Sequence, residues 1–139
     1  MKTRRHFIFL LIAGMLGPAI DASWAAAAPT VEIIAMAHPP VQSALKPLRD
    51  WLAQQGGKLK VVEIDAESPQ GEKRLAAVGL AGHVPILILI DGKYQYRRQD
   101  GSAVSFVNFP AVKESPPGIR GDWQIADVQA LLTDRISKR

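Results

Sequence analysis

The chain has 139 residues, 47% of them hydrophobic and 22% charged, with a formal charge of +4 at pH 7 and no cysteine. That length bounds it to one domain, and the absence of cysteine excludes both disulfide staples and thiol chemistry. Once residues 1–25 are set aside, 14 basic residues face 12 acidic ones with no block of like charge, which excludes the footprint of a nucleic-acid-binding surface.

Residues 1–25 read as a secretory signal peptide. Lys2, Arg4 and Arg5 precede an apolar run from Phe7 to Ile20, and small residues follow. The run falls short of the ~18 apolar residues of a membrane-spanning helix, and Gly14, Gly17 and Pro18 interrupt it. Cleavage is expected after Ala25, Ala27 or Ala28, leaving a domain over 26–139. That domain is expected to be periplasmic or secreted and to meet the membrane only during export. Thr3-Arg4-Arg5-His6-Phe7-Ile8 also resembles the twin-arginine export signature. Two adjacent arginines serve equally as the positive end of an ordinary signal, so both routes stay open.

The first element is a strand, "VEIIAMA" from Val31, ended by Pro39-Pro40, which have no N–H to give to a ladder. Leu45, Leu48 and Leu52, with Ala44 and Trp51 beside them, fall at helical spacing. Pro47 is expected to kink that helix and Gly56-Gly57 to stop it. "KLKVVEID" alternates as a second strand, and Ser68-Pro69 supplies an N-cap and a first-turn proline for a helix running through Leu75, Ala76 and Val78 to Gly79. "PILILI", Pro85 to Ile90, is apolar throughout, the pattern of a strand covered on both faces. Asp91-Gly92 is a hairpin turn, and "KYQYRR" returns from it. Asp100-Gly101 introduces "AVSFVNF", and a Pro/Gly-rich loop from Pro110 to Gly121 leads to the last helix. Asp122 is expected to cap that helix, with Trp123, Val128, Leu131, Leu132 and Ile136 as its apolar set. The order β-α-β-α-β-β-β-α predicts an α/β domain, a sheet covered by helices.

From Val31 to Ile136 the chain resembles the thioredoxin-like superfamily, most closely in "VGLAGHVPILILIDGK". Gly79, Gly82, Val84, Pro85 and Gly92 fall where that family carries its glycine loop, cis proline and following turn, with His83 making the loop one residue longer. The resemblance implies a three-layer sandwich: a central mixed sheet with helices on both faces. The chain departs from it in an extra strand and loop at 102–121, expected to be decoration, with a partner-binding edge or flap as the alternative. The resemblance also implies a cis Val84–Pro85 bond. The family's redox turn is Cys-x-Pro-Cys at the start of the first long helix. Here His38 and Val41 take the two cysteine positions, or Pro39 and Gln42 if the register moves by one. Disulfide exchange needs a thiolate to attack and a second sulfur to resolve, so it is excluded.

The resemblance places His38, Pro39 and Pro40 opposite His83, Val84 and Pro85 at one end of the sheet. The expected role is a cysteine-less, exported, non-enzymatic module that binds a protein, a peptide or a small ligand there, through backbone hydrogen bonds beside the proline. Two alternatives stay open. His38 and His83, with Met36 two residues before His38, form a donor set suited to copper or zinc, as in a metal-handling accessory protein. Ser43, near the start of the first helix, would be the thiol-activating hydroxyl of a small glutathione-type enzyme, since glutathione transferases begin with a similar unit. Its other role is to satisfy a backbone N–H at the helix start. The chain carries no phosphate-cradling glycine loop and no His-Glu-x-x-His.

Overall fold

In the computed structural model, which describes residues 27–139, the elements follow the expected order. They are β1 (Thr30–Ala35), α1 (Pro39–Gln55), β2 (Lys60–Asp65), α2 (Pro69–Ala77), β3 (Ile86–Ile90), β4 (Gln95–Arg97), β5 (Ala103–Ser105) and α3 (Ile125–Ser137). The signal peptide expected at 1–25 lies outside the described residues.

The fold is mixed α/β. Three strands form a mixed sheet in the order β2-β1-β3, with β1 parallel to β2 and antiparallel to β3. Position explains composition: Val31, Ile33, Ile34 and Ala35 of the central β1 are buried, and β3, covered along its outer edge, is buried at every residue. β2 lies at the edge and accordingly carries Lys60, Glu63 and Asp65. β4 and β5 pair as a separate hairpin. Beyond β5 the chain bends at Phe106, which takes a bond from Ile88 N at 2.9 Å, and Asn108 N then donates to Ile86 O at 2.8 Å. Residues 106–108 therefore cover the outer edge of β3.

Two carboxylates show where the helices lie. Glu32 stands opposite Val62 in the parallel register, so Glu32 and its diagonal neighbour Glu63 point to opposite faces. Arg74 of α2 grips Glu32 with two bonds of 2.6 and 2.7 Å, and Arg49 of α1 donates to Glu63 at 2.8 Å. α1 and α2 therefore cover opposite faces, and α3 packs beside α1. The inward stripe of α1 is Val41, Leu45, Leu48 and Leu52, and each fully buried leucine contributes about 1.5–3 kcal/mol.

Local signals act as expected at two joints. Ser68 Oγ accepts from Gly71 N at 3.1 Å, capping α2. Asp91 (φ 48°) and Gly92 (φ 80°) both lie in the left-handed region, as a two-residue hairpin turn requires. Two expectations for α3 change. Its cap is Gln124, whose N–H donates to Asp127 Oδ2 at 2.8 Å, while Asp122 accepts from Ser105 N at 3.1 Å instead. Trp123 precedes the helix and is fully buried, its indole N–H shared between the carbonyls of Val107 and Asn108 at 3.2 and 3.1 Å. α1 runs on through Pro47 as one helix.

Candidate functional site

β1 ends and β3 begins at the same end of the sheet, where Met36 N donates to Pro85 O at 3.0 Å. This bond sets the 38–40 turn beside the 83–85 loop. His38, Pro39, Pro40 and His83 are exposed, whereas Val84 and Pro85 are buried. The parallel register of β1 and β2 adds a third segment: Ala66 N donates to Ala35 O at 3.0 Å, bringing the turn after β2 to the same place. Glu67 in that turn meets His38, its Oε2 lying 3.0 Å from His38 Nε2. Both side chains are about half exposed, at 55% and 49%. Glu67 belongs to the acidic turn of "KLKVVEIDAES", yet its meeting with His38 follows from strand register, which no local motif encodes.

Two expectations are corrected. The Val84–Pro85 bond is trans, since no described peptide bond is cis. Trans is the lower-energy form before proline, by about 0.5–1 kcal/mol, and here it accompanies the Pro85 carbonyl bond to Met36 N. Met36 is 7% exposed and belongs to the apolar core, so its thioether does not join His38 at the surface. β1 stops at Ala35, and strand alternation no longer governs the residue after it. Among the described residues no group of three or more His, Asp or Glu side chains is placed to hold a metal ion. Ser43 is exposed on α1, and no described side chain hydrogen-bonds its hydroxyl.

The electrostatics of this end are unusual for a helix start. Pro39 and Pro40 occupy the first positions of α1, and no acidic residue lies in the first turn. Proline has no N–H, so the helix lacks two of the donors that make a helix N-terminus an anion site. Backbone capacity is left over elsewhere: neither the N–H nor the C=O of Val84 has a hydrogen-bond partner among the described residues.

The loop after β5, expected as decoration, packs against the start of α1. Pro40, Ser43 and Ala44 form one wall of a groove of about 320 Å³, and Phe109, Val112 and Glu114 form much of the other. A larger cavity of about 500 Å³ lies between the hairpin and α3. Its wall is tied by Arg98, which donates to both Asp127 oxygens at 2.8 and 3.0 Å and to Asp122 O at 2.7 Å. Hydrogen bonds from Arg98 hold the Asp127 carboxyl below the usual carboxylate range. That cavity is the seat of the hairpin on the helix, and none of His38, Pro39, Pro40, His83, Val84, Pro85, Met36 and Ser43 lines it.

No known protein family, no curated protein and no solved structure matches the chain.

Proposed function

We propose that the chain is an exported, non-redox, thioredoxin-like binding module that holds an extended peptide across the 38–40 turn and the 83–85 loop. The sheet order β2-β1-β3, the antiparallel β3, the helices on opposite faces and the 106–108 segment along β3 support a three-layer sandwich of that kind. The lack of cysteine removes thiol chemistry, and the signal-like start supports export.

One observation carries the peptide reading. Val84 has a buried side chain and an unpartnered backbone donor and acceptor, in the loop that carries exposed His83 and adjoins the turn of exposed His38. A peptide lying alongside completes those bonds as an added strand does. Two such bonds contribute about 1–3 kcal/mol, so useful affinity also needs side-chain contacts.

The test is an amide-resolved NMR titration with short unstructured peptides. Shifts concentrated at Val84, His83 and residues 37–42 are expected. Saturable binding that leaves the Val84 amide unmoved would overturn the reading.

A further inference from the structure

We infer that the groove between α1 and the loop after β5 selects peptides carrying a bulky apolar side chain next to a lysine or arginine. This rests on the peptide reading of the Val84 surface and names the class of peptide it takes.

The apolar half of the inference comes from the groove walls. Pro40, Ala44, Phe109 and Val112 line it. Val112 is 43% exposed, one of two large hydrophobic side chains left exposed among the described residues, the other being Val61 on the β2 edge. At about 320 Å³ the groove stands at the low end of the ~300–1,000 Å³ of ligand pockets, sized for side chains and not for a folded surface.

The loop is held as a fixed wall. Arg120 Nη2 donates to Lys113 O at 3.1 Å and to Ser115 O at 2.7 Å, and the buried Ser115 hydroxyl donates to Pro110 O at 2.5 Å. Phe109 N bonds Ile119 O at 2.9 Å and Gly121 N bonds Phe109 O at 2.7 Å, closing the loop at its base. A Cβ at Gly121 would stand 2.3 Å from Val107 O, so only glycine fits that base. A long loop organised in this way presents its side chains with little ordering left to lose on binding.

The charge half comes from Glu114 on the groove rim and Glu67 beside His38. Among the described residues neither forms an ion pair with a lysine or arginine. Lys113 is exposed but does not line the groove. The proline-blocked start of α1 offers an anion two fewer N–H groups than an ordinary helix start. A cation beside the apolar anchor is therefore the complementary ligand.

The experiment measures affinities of the purified protein for the synthetic peptide Gly-Ser-Leu-Lys-Ser-Gly and for versions with Glu in place of Lys or Ser in place of Leu. The Val84 amide is followed in the same titrations. The Lys peptide is expected to bind about fivefold tighter than the Glu peptide at low salt, with the ratio shrinking as salt rises. The Ser version is expected to lose about tenfold. Glu114→Lys should invert the Lys/Glu preference and Val112→Ser should remove most of the Leu preference. Both positions are exposed, and an unchanged Tm confirms that the variants fold. Peptides that move the Val84 amide without Lys/Glu discrimination, or with discrimination that survives Glu114→Lys, would overturn this inference alone. Peptides that move nothing would overturn the peptide reading together with it.

Discussion

At the end of the sheet where β1 begins, the chain is knotted by side chains. Asp91 N donates to Thr30 O at 2.9 Å, and Thr30 N donates in return to Asp91 Oδ1 at 2.9 Å. Arg135 pairs with Asp91 and lies 5.4 Å over the Tyr96 ring, and the Tyr96 hydroxyl donates to Ile90 O. At the end where β1 finishes, His38, His83 and two prolines face solvent and Val84 keeps unpartnered backbone groups. The same sheet thus has one end whose polar capacity is spent internally and one whose capacity is left over. Backbone groups near a packed core are nearly always paired, so the unspent end is where the proposed peptide would complete the missing bonds.

The sharpest way to break this contrast is to deform the open end from beneath. A Cβ at Gly71 would lie 2.1 Å from Asp65 O and 2.8 Å from Ala66 Cα, backbone atoms with no side chain to swing away. Gly71→Ala should cost about 3 kcal/mol or more and displace the turn bearing Glu67, visible as a lowered Tm and as altered His38 ring resonances. Next in size is the knotted end. Asp91→Ala removes the contacts to Thr30 and Arg135 and puts alanine at φ 48°, for an expected loss of about 2 kcal/mol. Peptide binding at the other end should be unchanged, and denaturant melts with parallel titrations check both.

A smaller effect is expected from pH. The Asp127 carboxyl is held low chiefly by hydrogen bonds from Arg98. A depressed carboxyl contributes stability that is fully present above the unfolded value near pH ~3.9 and is lost as pH falls through it toward the folded value. Asp127→Asn should therefore flatten the fall in Tm between neutral and strongly acidic solution. The smallest change in stability belongs to the open end itself. His38→Ala should move stability by no more than about 0.5 kcal/mol, since its pairing with Glu67 is exposed. It should nevertheless weaken peptide binding, and that separation of stability from binding is what the contrast requires.

The parts of the fold legible in the sequence are those fixed by near neighbours. The Ser68-Pro69 cap, the Asp91-Gly92 turn, the leucine stripe of α1 and the unbroken apolar run of β3 each work within a few residues. What escaped depends on distant partners. Gln124 outcompetes Asp122 as the α3 cap because Asp122 is engaged by Ser105 N. Met36 leaves the surface because β1 ends at Ala35, two residues short of the expected strand. The loop from Pro110 to Gly121 looks featureless in sequence. Its order comes from Arg120 reaching the carbonyls of Lys113 and Ser115 and from a tryptophan indole bonded to Val107 and Asn108. Of the candidate site, His38 through Pro40 and His83 through Pro85 were readable from the turn and strand signals. Glu67, Val112 and Glu114 were not, because register and loop packing bring them there.

Both ends of the described chain rest on one short segment. Lys60 N donates to Pro29 O at 2.9 Å, and Arg139 Nη1 donates to Lys58 O at 3.1 Å. Both contacts lie at the end of the sheet where β1 begins, beside the Thr30–Lys60 register. By the same geometry, a chain attached at either end leaves from the side opposite His38 and His83. Anchored to a bead, a sensor surface or a second domain, the protein would hold its open end outward.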